Sequence, residues 1–346
     1  MKYPDTGLYH FCRELSLALL RLPDFGIQPD FYVPASQIDF LKQRVQYSQQ
    51  HWWHKIINTV APSYKVWHCT YQGSNYFPHN KSVKKILTIH DLNILFDERK
   101  TTVKKQKYLQ HIQRQVNESV YITAISQFTL DCVKENLDLK NIPSQVIYNG
   151  CNLPDEGMAF TKPAFITDDT PFIFTIGTVA VKKNFHVLPA LLRGNDYKLV
   201  IAGIKQDADY YDKIIEEAKK HGVEERLVMA GSVTQAEKFW LLLNMLAFVF
   251  PSISEGFGLP VIEAMHFGKP VILSTHTSLP EIGGDAAYYF PSFEADEMQQ
   301  VFYNSLQHYA ANEMQQQKIK NRAADFSWDK AAEKYVALYK QLLANT

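Results

Sequence analysis

The segment from Ala247 to Ile272, AFVFPSISEGFGLPVIEAMHFGKPVI, constrains the fold more than any other part of the sequence. An apolar run ends at Pro251, and a polar turn with two glycines follows before apolar residues recur at helical spacing from Pro260. Proline is favoured at a first helical position, because its missing N–H would have no partner there. Gly268 then ends the helix, and Val271 begins a second apolar run. The segment predicts a strand, a turn, a helix and a second buried strand of a parallel sheet.

The turn of this segment carries Glu255, and the helix carries a second carboxylate, Glu263. The first N–H groups of a helix have no partner within it, and Gly256 and Gly258 allow another molecule to approach the backbone closely. The turn therefore suits an anion or a sugar hydroxyl. A glycine turn with a solvated Glu is also a common surface feature, so the turn alone leaves both interpretations open.

Another polar position follows the buried strand of the segment ILTIHDL, residues 86–92. His90 comes directly after the apolar residues, and in open α/β sheets the carboxyl ends of strands face the ligand crevice. Two interpretations remain: a ligand contact, or a histidine whose ring is satisfied by neighbouring backbone.

Two lysines occupy a similar position after the strand predicted over Phe172–Ile176. Gly177 and Thr178 end this strand, and Lys182 and Lys183 follow in a loop. Two cations at the carboxyl end of a strand can neutralise a diphosphate, although loop lysines are more often simply solvated.

Composition favours a folded chain of two domains. The chain has 346 residues, of which 46% are hydrophobic, enough to fill two cores. No apolar run is long enough to span a membrane and the N-terminus lacks the apolar region of a secretory signal, so we expect a cytoplasmic protein. Four scattered cysteines indicate reduced thiols and neither disulfides nor a zinc site.

Charge and a pair of tryptophans suggest where partners bind. Residues 1–150 contain 18 Lys and Arg against 12 Asp and Glu, and the remainder contains 18 against 24, so the halves carry about +6 and −6. A basic first half favours an acidic acceptor or an anionic membrane surface, or it reflects ordinary solubility. Ile38 to Val60 is expected to form helix and loop, where Trp52 and Trp53 either contact a lipid interface, stack on an acceptor sugar or cap a core.

The Glu-x7-Glu spacing between Glu255 and Glu263, with GFGLP between them, resembles the C-terminal motif of glycosyltransferase family 4. The strand ending in His90 and Asp91 is similar to an element of the same family. The resemblance covers nearly the whole chain and is most specific from residue 177 to residue 291. It implies a GT-B fold of the α/β class, with two Rossmann-like, doubly wound, parallel-sheet domains facing a cleft.

The resemblance also implies the domain boundaries. An acceptor-side domain spans residues 1–153, a linker spans 154–171, and a nucleotide-sugar-binding domain spans 172–325. A terminal helix over residues 326–346 then crosses back to the first domain.

Family members use matching residues to bind a nucleotide-sugar donor. The implied donor-diphosphate contacts are Gly7, Thr178, Lys182, Lys183 and the N–H groups of Phe257, Gly258 and Leu259; Glu263 binds the ribose; Ser232 and Val233 lie beside the nucleobase; and His90 and Glu255 contact the sugar at the reacting carbon.

Two of these positions depart from the family pattern. Lys182 stands where many members have Arg, so a point charge replaces a bidentate fork. Only Met1 to Tyr3 precede the loop of Gly7, so we expect either that the first strand is very short or that the chain is truncated upstream.

The resemblance implies retaining transfer of a hexose from a nucleotide sugar to an acceptor hydroxyl, without a metal or other cofactor. The segment EGFGLPVIEAM is most similar to mannosyltransferases that use GDP-mannose. The expected acceptor is a surface polysaccharide or lipid-linked glycan, with peripheral membrane contact and no nucleic-acid partner. A nucleotide-sugar epimerase of similar fold and a nonenzymatic nucleotide-binding protein are the alternatives, and for NAD the expected GxGxxG motif is missing from PDTGLYHF.

Overall fold

A computed structural model describes residues 7–23, 26–38, 40–41, 45–56, 64–78 and 80–344. The chain divides into two compact units, one formed by Met1–Gly150 with Ser327–Thr346 and the other by Cys151–Phe326. The expected first strand at Met1 to Tyr3 lies outside the described residues.

The first unit has a parallel sheet covered by helices. Its elements are α1 (Gly7–Arg21), β1 (Asp30–Pro34), β2 (Gln46–Gln50), β3 (Val66–Cys69), β4 (Lys84–Ile89), α2 (Thr102–Glu118), β5 (Tyr121–Ala124), α3 (Gln127–Asn136) and β6 (Ser144–Val146). Strands β3, β4, β5 and β6 form a four-stranded parallel sheet in that order, and β1 pairs in parallel with β2 alone. Buried residues of β4, β5, α2 and α3 make the core between sheet and helices, among them Leu87, Ile89, Ile112, Val116, Ile122 and Val133.

Strand β2 corrects the expectation of helix and loop over Ile38–Val60. Its sequence, QYSQQ, has no run of apolar residues that would indicate a strand. It is stabilised from outside, because β1 pairs with it and because Ser48 Oγ donates a hydrogen bond of 2.8 Å to Asp30 Oδ2. Trp52–Lys55 forms a short 3-10 turn directly after it.

Helix α3 begins where its cap predicts. Ser126 accepts a hydrogen bond of 3.1 Å from the backbone N–H of Thr129, which satisfies one of the unpaired donors of the first turn. Thr101 caps α2 in the same way through the N–H of Lys104.

The second unit alternates strands and helices. Its elements are β7 (Phe172–Ile176), β8 (Lys198–Ala202), α4 (Ala208–Lys220), β9 (Leu227–Gly231), α5 (Gln235–Asn244), β10 (Ala247–Phe250), α6 (Leu259–His266), β11 (Val271–Ser274), α7 (Leu279–Gly283), β12 (Tyr288–Phe290), α8 (Ala295–Ala311) and α9 (Glu313–Ala324). The six strands are parallel and lie in the order β12-β11-β10-β7-β8-β9. This is the order of a Rossmann sheet, with the first and fourth strands of the unit, β7 and β10, adjacent at its centre.

The chain builds one half of the sheet outward from β7 and the other half outward from β10, so the topological switch point lies between these two strands. In open α/β sheets, ligands bind outside the carboxyl ends of the strands at such a switch point. The strands there are fully apolar: Phe174, Phe248, Val249 and Phe250 are completely buried. They provide a rigid base for the two loops that follow them.

Helix α10 (Trp328–Ala344) follows the second unit in sequence and packs against α1 in the first unit. A buried hydrogen-bond network also joins it to the sheet. His68 of β3 contacts Tyr339 Oη through Nδ1 and Thr88 Oγ1 through Nε2, both at 2.7 Å. Tyr335 Oη lies 3.1 Å from the same threonine oxygen.

Candidate active site

The loops after β7 and β10 are hydrogen-bonded to each other. The carbonyl oxygen of Lys182, in the 3-10 turn Val181–Lys183, accepts hydrogen bonds from Ile253 N at 2.9 Å and Ser252 Oγ at 3.0 Å. Asn184 ends the turn with φ of 57°. The two loops therefore form one surface at the switch point of the sheet.

Lys183 and Glu255 form a buried ion pair in this surface. Lys183 Nζ lies 2.5 Å from Glu255 Oε1, and the side chains are only 11% and 12% exposed. The ammonium group also lies 4.8 Å from the centre of the Phe250 ring, within range of a cation–π interaction. Lys182, one residue earlier, is exposed.

Glu255 is held as an anion. Burial acts to raise the pKa of its carboxyl, but the charges of Lys183 and Lys182 and hydrogen bonds from Lys183 and Ser252 outweigh it, so the pKa is lowered. Ser252 Oγ lies 2.6 Å from Oε1. The backbone N–H of Glu255 donates to Thr277 Oγ1 at 3.0 Å, which fixes the turn itself.

The N-terminus of α6 adjoins this ion pair. Gly258 caps the helix with φ of 108°, a conformation that L side chains rarely adopt. Ser278 Oγ braces the turn, since it lies within hydrogen-bond distance of the carbonyl oxygens of Glu255 and Phe257. The predicted diphosphate contacts Phe257, Gly258 and Leu259 thus lie together at one helix terminus, where N–H groups and the helix dipole favour an anion.

Glu263 lies in the second turn of α6 and has its own partners. Its Oε2 accepts a hydrogen bond of 3.0 Å from Lys238 Nζ of α5, and its Oε1 accepts one of 3.0 Å from Asn152 Nδ2. The side chains of Lys238 and Glu263 are 9% and 6% exposed. The predicted ribose contact is therefore a buried carboxylate with one donor on each oxygen.

The remaining predicted residues of this unit lie farther along the same edge of the sheet. Thr178 is exposed in the loop after β7. Ser232 is exposed and Val233 half-buried, and both follow β9, the edge strand two places from β7. Within the part of the chain that the structure describes, no hydrogen bond or ion pair joins these three residues to the Lys183–Glu255 pair.

His90 and Gly7 belong to the first unit. His90 Nε2 lies 2.8 Å from the carbonyl oxygen of Thr70, so this nitrogen carries the proton and Nδ1 is the acceptor. Burial lowers the pKa of His90, although the hydrogen bond to Thr70 and the charge of Asp91 act in the opposite direction, and the ring is neutral at pH 7. Gly7 is the exposed first residue of α1. Phe11 of the same helix packs edge-on against His90, with their ring centroids 4.7 Å apart.

The sequence analysis did not predict several residues that hold the candidate site residues in place. Gln72 is buried; its Oε1 accepts from His90 N at 3.1 Å and its Nε2 donates to Asp91 O at 2.9 Å, so it holds the His90–Asp91 loop. Lys238 and Asn152 hold Glu263. No local pattern signals these contacts. A lysine at an otherwise core-facing position of α5 is the one feature that a helical projection of the sequence would have flagged.

Two strand-end loops with a cation–carboxylate pair lie at the switch point of a Rossmann sheet, where open α/β sheets bind ligands. Comparison with known proteins shows which proteins this chain resembles. Residues 159–324 match the family model described as glycosyl transferases group 1, which covers most of the second unit. Over these residues, the resemblance predicted from the sequence is confirmed.

Curated relatives and solved structures agree with this assignment. O-antigen chain mannosyltransferase B of Escherichia coli is 25% identical over 299 residues, which are 79% of this chain and 74% of that protein. The serotype-specific mannosyltransferase WbdA of E. coli is 28% identical over 243 residues, and the match spans 65% of this chain but only 29% of WbdA. The crystal structure of Anabaena HepE with UDP and glucose superposes with a TM-score of 0.74 at 14% identity, over 97% of this chain and 96% of HepE. The predicted GT-B fold is confirmed.

No helix in the described ranges is long and apolar enough to cross a membrane. Within the same ranges, no group of three or more His, Cys, Asp or Glu side chains is arranged to hold a metal ion.

Proposed function

We propose that this protein is a retaining hexosyltransferase that moves a hexose from a nucleotide diphosphate sugar to an acceptor hydroxyl without a metal ion. The Lys183–Glu255 pair at the switch point between β7 and β10 is the observation that carries this proposal. It places a cation and an ionised carboxylate side by side, beside the N-terminus of α6. That combination suits a ligand with an anionic diphosphate next to a sugar rich in hydroxyls.

The charge that develops on the donor during the reaction determines the proposed role of each group. As the bond between the anomeric carbon and the phosphate oxygen breaks, negative charge collects on the leaving diphosphate, and catalysis consists largely of stabilising it in place. Lys182, Lys183 and the N–H groups at the start of α6 supply positive potential for this purpose. Glu255 accepts hydrogen bonds from sugar hydroxyls.

Retention follows from attack on the face that the diphosphate leaves. In the proposed step the acceptor oxygen bonds to the anomeric carbon, the carbon–phosphate oxygen bond breaks, and the acceptor proton passes to the departing phosphate oxygen. The sequence offers no identified carboxylate that would serve as a covalent nucleophile, so we favour this route over a glycosyl-enzyme intermediate.

Two buried polar atoms of the same loops support ligand binding here. Ser254 Oγ, after β10, and Asn184 Nδ2, after β7, have no hydrogen-bond partner in the structure. Buried polar groups are nearly always satisfied in folded proteins, so such atoms suit a site that a polar ligand completes.

We propose mannose as the sugar and GDP-mannose as the donor. The names of the E. coli relatives, both mannosyltransferases, support the sugar, and the segment EGFGLPVIEAM supports the same choice. A surface polysaccharide chain or lipid-linked glycan is the proposed acceptor, which the O-antigen function in the first relative's name supports.

We also propose peripheral contact with the cytoplasmic face of a membrane. Trp52 and Ile56 are 71% and 70% exposed, which favours an interfacial or acceptor contact over a cap on the core. Their unit carries the net positive charge of residues 1–150. Cosedimentation with anionic but not neutral vesicles tests this contact, and its loss in Trp52→Ala is the expected result.

Thermal stabilisation by GDP, UDP, ADP and NAD in the presence of EDTA tests the function. A ligand that binds only the folded protein raises its melting temperature by mass action. We expect a shift with GDP, and acceptor-dependent release of GDP from GDP-mannose. Lys183→Met should lower kcat about 10²- to 10³-fold, as loss of one group that stabilises developing charge does.

Other outcomes separate the alternatives. Consumption of the donor sugar without an acceptor would indicate an epimerase. A rise in melting temperature with NAD alone would refute the transferase. The absence of any rise with all four nucleotides would refute it as well.

A further inference from the structure

Lys238 is an unusual residue for its position. It lies on α5, four residues after the capping residue Thr234, and it is buried beside Phe239. Placing an ammonium group out of water is costly unless it is paired and hydrogen-bonded. Its partner is Glu263, at 3.0 Å, so the charge is compensated within the unit.

A buried ion pair is weak evidence for stability. Apolar residues of similar volume often replace such a pair with no loss, or with a gain, because both charges must be desolvated. The pair therefore calls for another explanation. The position of Glu263 on α6, in the second turn after the proposed diphosphate site, points to function.

The Glu263 carboxylate can accept hydrogen bonds from two further hydroxyls in addition to its present donors. An ionised carboxylate has about four acceptor positions. Lys238 occupies one on Oε2, and Asn152 occupies one on Oε1. Each oxygen retains a second position, and both carboxylate oxygens are held in place by their donors. Two hydroxyls on adjacent carbons, such as the 2′ and 3′ hydroxyls of a ribose, match two such oxygens.

We propose that Lys238 is a positioning residue, which holds the Glu263 carboxylate oriented so that the site selects ribose over deoxyribose nucleotides. This inference rests on the proposed function of the site as a nucleotide-sugar site. Lys238 acts through Glu263 and does not itself touch the reacting atoms. Asn152 completes the arrangement from the start of the unit.

Calorimetric titration of the full chain with GDP and with 2′,3′-dideoxy-GDP tests this role. A hydrogen bond to a charged group contributes enough for the wild type to bind GDP at least about tenfold more tightly than the dideoxy nucleotide. In Lys238→Met we expect this ratio to fall towards one, while the affinity for dideoxy-GDP is unchanged. A merely structural lysine would weaken both nucleotides together or neither.

A control variant and a replacement variant complete the experiment. Lys198→Met breaks a more exposed ion pair of the same unit, with Asp168 at 2.6 Å, and should keep the wild-type ratio. If Lys238→Met does not fold, Lys238→Gln replaces it, because its amide can still donate to Oε2 without the charge. We expect an intermediate ratio from that variant.

The outcomes separate this inference from the proposed function. A wild-type ratio in whichever Lys238 variant folds overturns the positioning role and leaves the function intact. Equal binding of GDP and dideoxy-GDP by the wild type overturns both the ribose role of Glu263 and the role of Lys238. Binding of no nucleoside diphosphate overturns the function, and this inference with it.

Discussion

Two adjacent lysines differ sharply in their surroundings. Lys182 is exposed, whereas Lys183 is buried between Glu255 and the ring of Phe250. The difference arises because the Val181–Lys183 turn directs successive side chains to different sides, and Asn184 ends it in a left-handed conformation. Lys183 is thus held in place by its two contacts, while Lys182 carries its charge at the surface.

Lys183→Met should destabilise the protein through the charge it leaves behind. Removing one partner of a buried pair costs about 3–5 kcal/mol, because the other charge is left uncompensated. We expect the free energy of unfolding in urea to fall by about 3 kcal/mol, and the double variant Lys183→Met with Glu255→Leu to recover most of the loss. Lys220→Met, which breaks a surface pair with Glu217, is the control and should cost under about 1 kcal/mol. Failure of the double variant to recover would show that packing and not charge dominates.

At the scale of elements, the turn between β10 and α6 determines the site. Three features act together: Gly258 permits φ of 108°, Pro260 lies in the first turn of the helix, where its missing N–H costs no hydrogen bond, and Ser278 braces the turn from α7's N-terminus. A Cβ on Gly258 would lie 3.1 Å from Leu279 Cδ2. The turn is therefore restricted both by backbone conformation and by packing.

Gly258→Ala should reduce both stability and nucleotide affinity. A non-glycine residue in a sparsely populated conformation costs about 1–3 kcal/mol, and about 2–4 °C of melting temperature accompany each kcal/mol in a domain of this size. Gly222→Ala is the matched control: Gly222 has φ of 65°, and a Cβ there meets nothing within 4 Å. We expect the control to lose stability but to keep wild-type GDP affinity in calorimetry. Unchanged affinity in Gly258→Ala would argue against an anion site at this helix terminus.

At the scale of the whole molecule, the last segment of the chain belongs to the first unit. Helix α10 comes after the entire second unit in sequence, yet it packs on α1 and joins the sheet through the buried network of His68, Thr88, Tyr335 and Tyr339. Burial, with a smaller contribution from His90, lowers the pKa of His68 to about 3. Burial penalises the charged ring, so the native structure favours the neutral form.

The first unit should therefore lose stability in mild acid. Above about pH 6.5 the histidine is neutral in both states and its effect is absent. Below that pH the unfolded chain binds a proton that the folded chain does not, so stability falls as the pH falls from 6.5 towards 3, by up to about 1.4 kcal/mol per pH unit. His68→Gln should show a shallower decline in urea midpoints between pH 6.5 and 4. His276→Gln, at an exposed position of the other unit, should decline like the wild type.

The sequence alone determined the local elements and the residue types of the site. Strands such as Ala247–Phe250 and Phe172–Ile176, the cap at Ser126 and the helix after Gly258 all follow from periodicity, glycine and proline, because these act over a few residues. The motif around Glu255 and Glu263 predicts a nucleotide-sugar site through its resemblance to glycosyltransferase family 4, and this stays a prediction. The resemblance also pointed correctly to the family.

Only the tertiary structure decided how distant residues meet. Lys183 and Glu255 are 72 positions apart, and Lys238 and Glu263 are 25 apart, so their pairing depends on the order of strands in the sheet. Strand β2 was missed because its pairing with β1, and not its own composition, makes it a strand. The physical reason is the same in each case: propensity acts locally along the chain, whereas the burial that pairs charges and strands depends on contacts that only the folded molecule brings together.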